Sequence, residues 1–355
     1  LFTSPYINRF NERIQVDGVP IPDGDLVRLV EQVRTAASAM ADVPTEFELI
    51  TALGMLYFAR ERCDIVVLEV GLGGALDSTN VIDPPECAVI TALGMDHVQE
   101  LGPTLADIAA AKAGIIKPGS PVVSYGGAPE ADRVIADAAA ACGAPLTVAD
   151  FARLTLRGAG LEGQTFDYDG LTGLTLPLLA RYQPRNAVVA IEALRALRAR
   201  GWQIPDSAIR QGLAQVRWPG RFELLRRDPP FLLDGSHNAH GMRATADSLQ
   251  ALFPGEKFVF LVSIMADKDA DEMLRLLLPL AKGFVTVTAP SPRAIPAAEL
   301  AARIEALGGR AEPAGGIPAA VARVCELAAA GPAAALGTLY FSGEVREAVA
   351  DLAKN

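Results

Sequence analysis

Residues 64–80 read DIVVLEVGLGGALDSTN, and this stretch decides the fold class. Residues 65–68 form an apolar, β-branched run suited to a strand buried on both faces. The run ends at a lone carboxylate, Glu69, and passes into Gly71, Gly73 and Gly74, residues that let a backbone approach a ligand closely. In open α/β sheets ligands bind at such strand ends. A charged group at the edge of an apolar core is costly unless it is paired or bound to a metal. Glu69 therefore has two readings, a metal ligand or a turn carboxylate paired with Arg or Lys.

Working outward, residues 45–60 carry Phe47, Ile50, Leu53, Leu56 and Tyr57 at helical spacing behind Thr45, a good N-cap. A strand is predicted at 87–93, next to the Glu69 strand, then a helix from Thr104 to Ile115 and a strand at 121–125. Alternating strands and helices imply a largely parallel sheet. Residues 146–180 change character: short alternating runs broken by glycines predict antiparallel hairpins. A helix is expected over 186–200. Arg217-Trp218-Pro219-Gly220-Arg221 reads as a hinge, after which strands at 231–233, 257–263, 283–288 and 333–341 alternate with helices, including Ala-rich ones at 297–307 and 318–330. The predicted architecture is α/β throughout. A mostly parallel-sheet domain spans 1–216, and a smaller Rossmann-like α/β domain spans 217–355.

A chain of 355 residues suits two domains. Its net charge of −10 leaves no excess of Lys and Arg to displace counterions, which argues against a general nucleic-acid binder. No apolar run approaches the length of a membrane span. Cys63, Cys87, Cys142 and Cys325 lack CxxC spacing and sit in or beside apolar stretches, so they read as reduced core residues of a cytoplasmic protein. Leu1-Phe2-Thr3-Ser4-Pro5 reads like the end of a buried strand with no initiator Met. The expectation is a natural chain that begins upstream.

Other polar residues fall at predicted strand ends. Asp96-His97 follows the 87–93 strand, and His97 with Glu69 would make a divalent-metal pair to which Ser4 adds a hydroxyl oxygen; the alternative is a His that caps the next loop. Lys112 lies among Ala109, Ala110, Ala111, Ala113 and Gly114. It is either a snorkelling surface lysine or a buried one that needs an anionic partner or modification. Asp234-Gly235-Ser236-His237-Asn238 follows an apolar strand and suits ribose or phosphate, or a helix cap. Ala266-Asp267-Lys268-Asp269 loads the next strand end in the same way.

Taken in order, these pieces resemble the folylpolyglutamate synthase and dihydrofolate synthase family of the Mur ligase superfamily. The resemblance covers nearly the whole chain. It rests on Thr3-Ser4-Pro5 with Arg9-Phe10-Asn11-Glu12-Arg13, Thr45-Glu46-Phe47-Glu48, Glu69-Val70-Gly71-Leu72-Gly73-Gly74 with Leu76-Asp77-Ser78-Thr79-Asn80, Asp96-His97, Lys112-Ala113-Gly114-Ile115, Trp218-Pro219-Gly220-Arg221, and Asp234-Gly235-Ser236-His237-Asn238.

The resemblance implies a P-loop-NTPase-like, Mur ligase central-type first domain and an ATP-dependent amide ligase. The γ-phosphate would pass to a pterin-linked carboxylate, and the amine of L-glutamate would attack the acyl phosphate. Ser4, Glu69 and His97 would bind Mg2+, and Lys112 would be the lysine that becomes N-carboxylated. Thr45, Glu46, Phe47 and Glu48, with Leu76, Asp77 and Ser78, would contact the pteroate or folate. Asn186, Arg221 and Asp234 would hold ATP across an interdomain cleft, with His237 close by. The expected partners are small molecules only, and the protein is expected to be a monomer.

Two departures stand out. The family's GKS or GKT phosphate loop lies upstream of the position of Leu1, and no GxxxxGK[ST] occurs in the chain; a truncated sequence is the expected reason. Tyr6 and Ala75 stand where the family commonly has His and Arg. A folate-binding or regulatory protein without catalysis is an alternative, motivated by the missing loop. A Mur-type peptidoglycan ligase is another, and the TEFE segment and the LDST turn speak against it.

Overall fold

A computed structural model describes residues 1–352 and 354. By internal contacts they form two compact units, one of Leu1–Leu93 with His97–Thr147, the other of Gly94–Asp96 with the residues from Val148 onward.

In the first unit the helix Glu46–Arg60 buries Ile50, Leu53, Tyr57 and Phe58 in one cluster with Phe2, Ile14, Ile21, Leu29 and Val33. Each such side chain is worth about 1.5–3 kcal/mol when fully removed from water. Thr45 caps this helix as its sequence predicts: its hydroxyl accepts from Glu48 N, and the Glu48 carboxylate accepts from Thr45 N at 2.7 Å. Thr104 forms the same box with Asp107 ahead of Leu105–Ala113. A small sheet orders Ala88–Ile90, Val122–Ser124 and Leu146–Val148, with the first two parallel.

Residues 65–68 depart from expectation. They are extended but bridge only Phe2 among the described residues, through Phe2 N to Val67 O at 2.8 Å and Glu69 N to Phe2 O at 2.9 Å. Val66 and Leu68 join the core while Ile65 and Val67 stay exposed, the alternation of a segment with one buried face. The expected pairing with the strand at Ala88–Ile90 is not seen among the described residues; that strand is the edge of its sheet and pairs Val122–Ser124.

The second unit opens with the antiparallel sheet expected within 146–180, formed by Leu154–Gly160, Gly163–Tyr168 and Leu171–Leu176. The helix Gln183–Ala199 follows, with Tyr168 donating to Glu192 at 2.9 Å. A six-stranded sheet then runs in the order Ala311–Pro313, Ala281–Thr286, Phe258–Val262, Ala333–Leu336, Pro230–Leu233, Glu223–Arg227. All its pairs are parallel except the last, an antiparallel edge. Phe258–Val262 is buried along its whole length, as a strand covered by helices on both faces requires.

Here too the structure corrects the sequence reading. The 333–341 strand stops at Leu336, because Gly337 turns the chain at φ 108° where a side chain would run into Ser263 O. By contacts, residues 148–216 group with the residues that follow them. The reason is packing: Leu179 and Ala180 lie in the same buried cluster as Phe222, Leu232, Met242 and Leu249.

Candidate functional site

In the first unit the turn after Glu69 is a hub, and each of its glycines is needed by a neighbour. A Cβ on Gly71 would lie 2.5 Å from the Phe47 ring, one on Gly73 3.0 Å from Leu101, and one on Gly74 2.9 Å from both Ala111 O and Lys112 O. Ala75 N also donates to Ala111 O at 2.8 Å. The glycines expected to admit a ligand thus serve close packing of the chain on itself. They gather the start of the 46–60 helix, the short helix Val98–Leu101 behind His97, and the C-terminal turn of the Lys112 helix around one turn.

Asp77 stiffens that turn. Its Oδ2 accepts from Gly71 N at 3.0 Å and Leu72 N at 2.9 Å, and its Oδ1 accepts from Thr79 N at 2.9 Å and Thr79 Oγ1 at 2.6 Å. Its carboxylate is therefore committed to the backbone, whereas neighbouring Leu76 is fully exposed and Ser78 half-buried. Thr45 and Glu48 are likewise spent on capping, Glu46 is exposed, and Phe47 packs edge-on against Phe2 with ring centroids 6.0 Å apart. Among the residues expected at the pteroate, Leu76, Phe47 and Glu46 keep surface for a ligand, while Thr45, Glu48 and Asp77 act first as builders.

The structure brings Ser4 and Glu69 together: Ser4 N donates to Glu69 Oε2 at 2.8 Å, and both residues are half-buried. His97 takes a left-handed backbone, φ 50° and ψ 40°, as N-cap of Val98–Leu101, with its Nδ1 3.9 Å from Glu100. Among the described residues no group of three or more His, Cys, Asp or Glu side chains is close enough to hold a metal. The expected set contains two such side chains, Glu69 and His97, plus a hydroxyl. That donor set fits Mg2+, a hard cation that takes one or two protein oxygens and keeps several waters. Lys112 sits half-buried in the last turn of Leu105–Ala113.

In the second unit the strand Pro230–Leu233 delivers Asp234 into the interior, 2% exposed. Its Oδ2 accepts from Phe222 N at 2.7 Å; its Oδ1 accepts from Ser236 N at 3.0 Å, Thr245 Oγ1 at 2.8 Å and the Ser236 hydroxyl. Asp234 thereby locks the turn that carries Arg221, whose guanidinium lies beside Gly235. Tyr182, at the start of the Gln183–Ala199 helix, has its phenol pushed well above the ordinary range, first by burial and then by the charge of Asp234, with Arg221 opposing. Asn186, exposed on the first turn, donates to Gln183 Oε1 at 3.1 Å. Asn186, Arg221 and Asp234 thus all lie in the second unit.

His237 Nδ1 lies 2.9 Å from Gly235 O, and its Nε2 lies 3.4 Å from Asp96 Oδ2. Asn238 caps Ala239–Leu252 through Gly241 N and donates its amide to Asp96 at 2.7 Å. Lys268, 10% exposed, reaches Asp96 Oδ1 at 2.7 Å and Asp267 at 3.4 Å. Burial works against the charge on Asp96, but hydrogen bonds from His237, Lys268 and Asn238 outweigh it and hold the carboxyl far below the usual range. The sequence marks Asp96 only as the neighbour of His97, and this cluster joins residues 142 and 172 positions apart.

One further basic residue on this rim escaped the sequence reading. Arg293 donates to Tyr340 Oη at 2.9 Å and lies 3.9 Å from Asp267. The strand-end rule points to it, since it follows Ala281–Thr286 as His237 follows Pro230–Leu233.

Comparison with known proteins shows the family. Residues 27–194 match the Mur ligase middle domain and residues 220–336 the Mur ligase glutamate ligase domain. Folylpolyglutamate synthase of Lacticaseibacillus casei is 40% identical over 84% of this chain and 72% of its own length. The Mycobacterium tuberculosis folylpolyglutamate synthase complexed with ADP superposes with a TM-score of 0.89 at 30% identity, over 98% of this chain and 83% of that one. Escherichia coli FolC in complex with DHPP and ADP gives 0.84 at 28% identity, over 100% and 82%. No helix among the described residues is long and apolar enough to cross a membrane. With the two domain matches in sequence order and a relative of this identity and coverage, the chain belongs to the folylpolyglutamate synthase and dihydrofolate synthase family of Mur ligases.

Proposed function

We propose that this protein is an ATP-dependent carboxylate–amine ligase that joins L-glutamate to dihydropteroate, to a folate, or to both, through an acyl phosphate. Membership of the family supports the reaction class. The observation that carries the site assignment is the glycine hub, where the Ser4–Glu69 contact, Phe47, Leu76 and the Lys112 helix end meet around one turn.

Phosphoryl transfer to a carboxylate is mostly positioning plus neutralisation of two anions that repel. Mg2+ held by Glu69 and Ser4, with His97 nearby, would supply positive charge between the triphosphate and the acceptor. Leu76, Phe47 and Glu46 would face the pterin-bearing substrate, with Asp77 and Ser78 in the supporting turn and Thr45 and Glu48 fixing the helix start. Lys112 would be N-carboxylated, which converts a cation among small residues into an anion able to support the metal. Arg221 would meet the nucleotide, with Asp234 holding its turn and Asn186 contributing from the first turn of Gln183–Ala199. The basic side chains Lys268 and Arg293 suit the two carboxylates of the incoming glutamate, with His237 close by. We place the enzyme in the cytoplasm as a monomer acting on small molecules; the four cysteines are free thiols.

The test uses the full-length gene product with ATP, Mg2+, L-glutamate and dihydropteroate or tetrahydrofolate. Phosphate release should require the pterin substrate and glutamate together. Glu69→Gln should slow it by about a hundredfold or more, as weakened hold on the Mg2+ that neutralises transition-state charge implies. Release that ignores both substrates would sink the proposal, and near wild-type turnover of Glu69→Gln would remove Glu69 from the metal site.

A further inference from the structure

We infer that Asp96 is a positioning residue for the glutamate-binding side chains, an inference that rests on the proposed ligase reading. Three observations within the second unit carry it. The Asp96 carboxylate is the common acceptor of Lys268 and Asn238, both at 2.7 Å, and faces His237 Nε2 at 3.4 Å. Lys268 is 10% exposed, and burying an ammonium is costly unless an anion sits beside it. Gly94, two residues earlier, packs closely against His240, where a Cβ would come within 2.6 Å of the ring carbon Cγ. That contact fixes the backbone of this three-residue segment against the start of the Ala239–Leu252 helix.

The consequence is geometric. His237 has one nitrogen tied to Gly235 O and the other turned to Asp96, so its ring plane is set from both ends. Lys268 has two acidic neighbours, Asp96 and the more distant Asp267 at 3.4 Å. Without the Asp96 charge, Lys268 would swing to Asp267, which is shared with Arg293 at 3.9 Å, and His237 and Asn238 would lose a common anchor. Asp96 therefore does for the rim what a third group does when it orients a catalytic pair. It touches neither nucleotide nor pterin in this reading, so its effect should be confined to the amino-acid substrate.

The experiment compares wild type, Asp96→Asn, Asp96→Glu, Lys268→Met and the Asp96→Asn/Lys268→Met double variant of the full-length gene product, with steady-state kinetics in each substrate and a thermal melt. Asp96→Asn should raise KM for L-glutamate about tenfold or more, as loss of a buried charge-assisted bond implies, with KM for ATP and for the pterin substrate within about twofold. Asp96→Glu should recover most of the loss. The double variant should be no worse than Lys268→Met alone, because the two side chains act as one unit. An unchanged glutamate KM in Asp96→Asn, or an equal rise for all three substrates that tracks a lowered melting temperature, overturns the inference. If wild type shows no glutamate-dependent phosphate release, the ligase reading itself fails and this inference falls with it. Should Asp96→Asn not fold, Asp96→Ser takes its place: a raised glutamate KM with KM for ATP and the pterin substrate unchanged supports the inference, and a normal glutamate KM overturns it.

Discussion

Replacing Asp234 by Asn changes one atom type in a side chain that four donors address. The amide can keep its oxygen on the crowded side, facing Ser236 N, the Ser236 hydroxyl and Thr245 Oγ1, only by turning its NH2 toward Phe222 N. That orientation orphans one buried N–H that now bonds at 2.7 Å. A buried donor left unsatisfied costs about 1–3 kcal/mol, and three surviving bonds each weaken by roughly 1 kcal/mol when their acceptor loses its charge. Relief of burying a charge offsets part of this, so the net loss should be about 2–4 kcal/mol. Both tryptophans, Trp202 and Trp218, lie in the second unit, so their fluorescence in a urea titration reports on the right part of the molecule. Because the released turn carries Arg221, calorimetry should also show weaker ADP binding. Ser236→Ala, which removes one neutral donor, should cost only about 1 kcal/mol. A loss below about 0.5 kcal/mol for Asp234→Asn, with ADP binding unchanged, would refute the claim that this carboxylate locks the turn.

Two other predictions concern the first unit. Gly74→Ala places a methyl 2.9 Å from two helix carbonyls that cannot swing aside, so it should destabilise by about 1–3 kcal/mol in a chemical melt; a neutral effect would mean the hub is loose. Glu48 has its carboxyl held below the usual range, first by the Thr45 N–H and then by the Thr45 hydroxyl. A depressed folded pKa contributes stability above the unfolded value and loses it as pH falls through the folded one. The stability gap between wild type and Thr45→Ala should thus be constant at neutral pH and shrink below about pH 4.5, which melts at several pH values would check.

Much of this was legible because periodicity and caps are local. Thr45 and Thr104 announce their helices, and Phe258–Val262 announces a strand buried on both faces. The segment at 65–68 misled for the opposite reason: its apolar run is continuous, yet which flank pairs is decided by Phe2, far away in sequence. The glycines after Glu69 are visible in the sequence, but their partners Phe47, Leu101 and Ala111 come from three other elements, so in the sequence packing and ligand approach look alike. Resemblance placed Asp234 at the nucleotide, and only the coordinates show that its carboxylate is already filled by the protein's own donors. The Asp96 cluster was invisible because it joins three chain positions that no spacing rule connects.

The central claim, a ligase that activates a carboxylate as its acyl phosphate, is tested most directly by labelling the pterin substrate's carboxylate with 18O and analysing the phosphate released during turnover with ATP and L-glutamate. The account predicts that the phosphate carries one 18O from the carboxylate, with one ADP formed per amide bond. Unlabelled phosphate accompanying amide formation would contradict it.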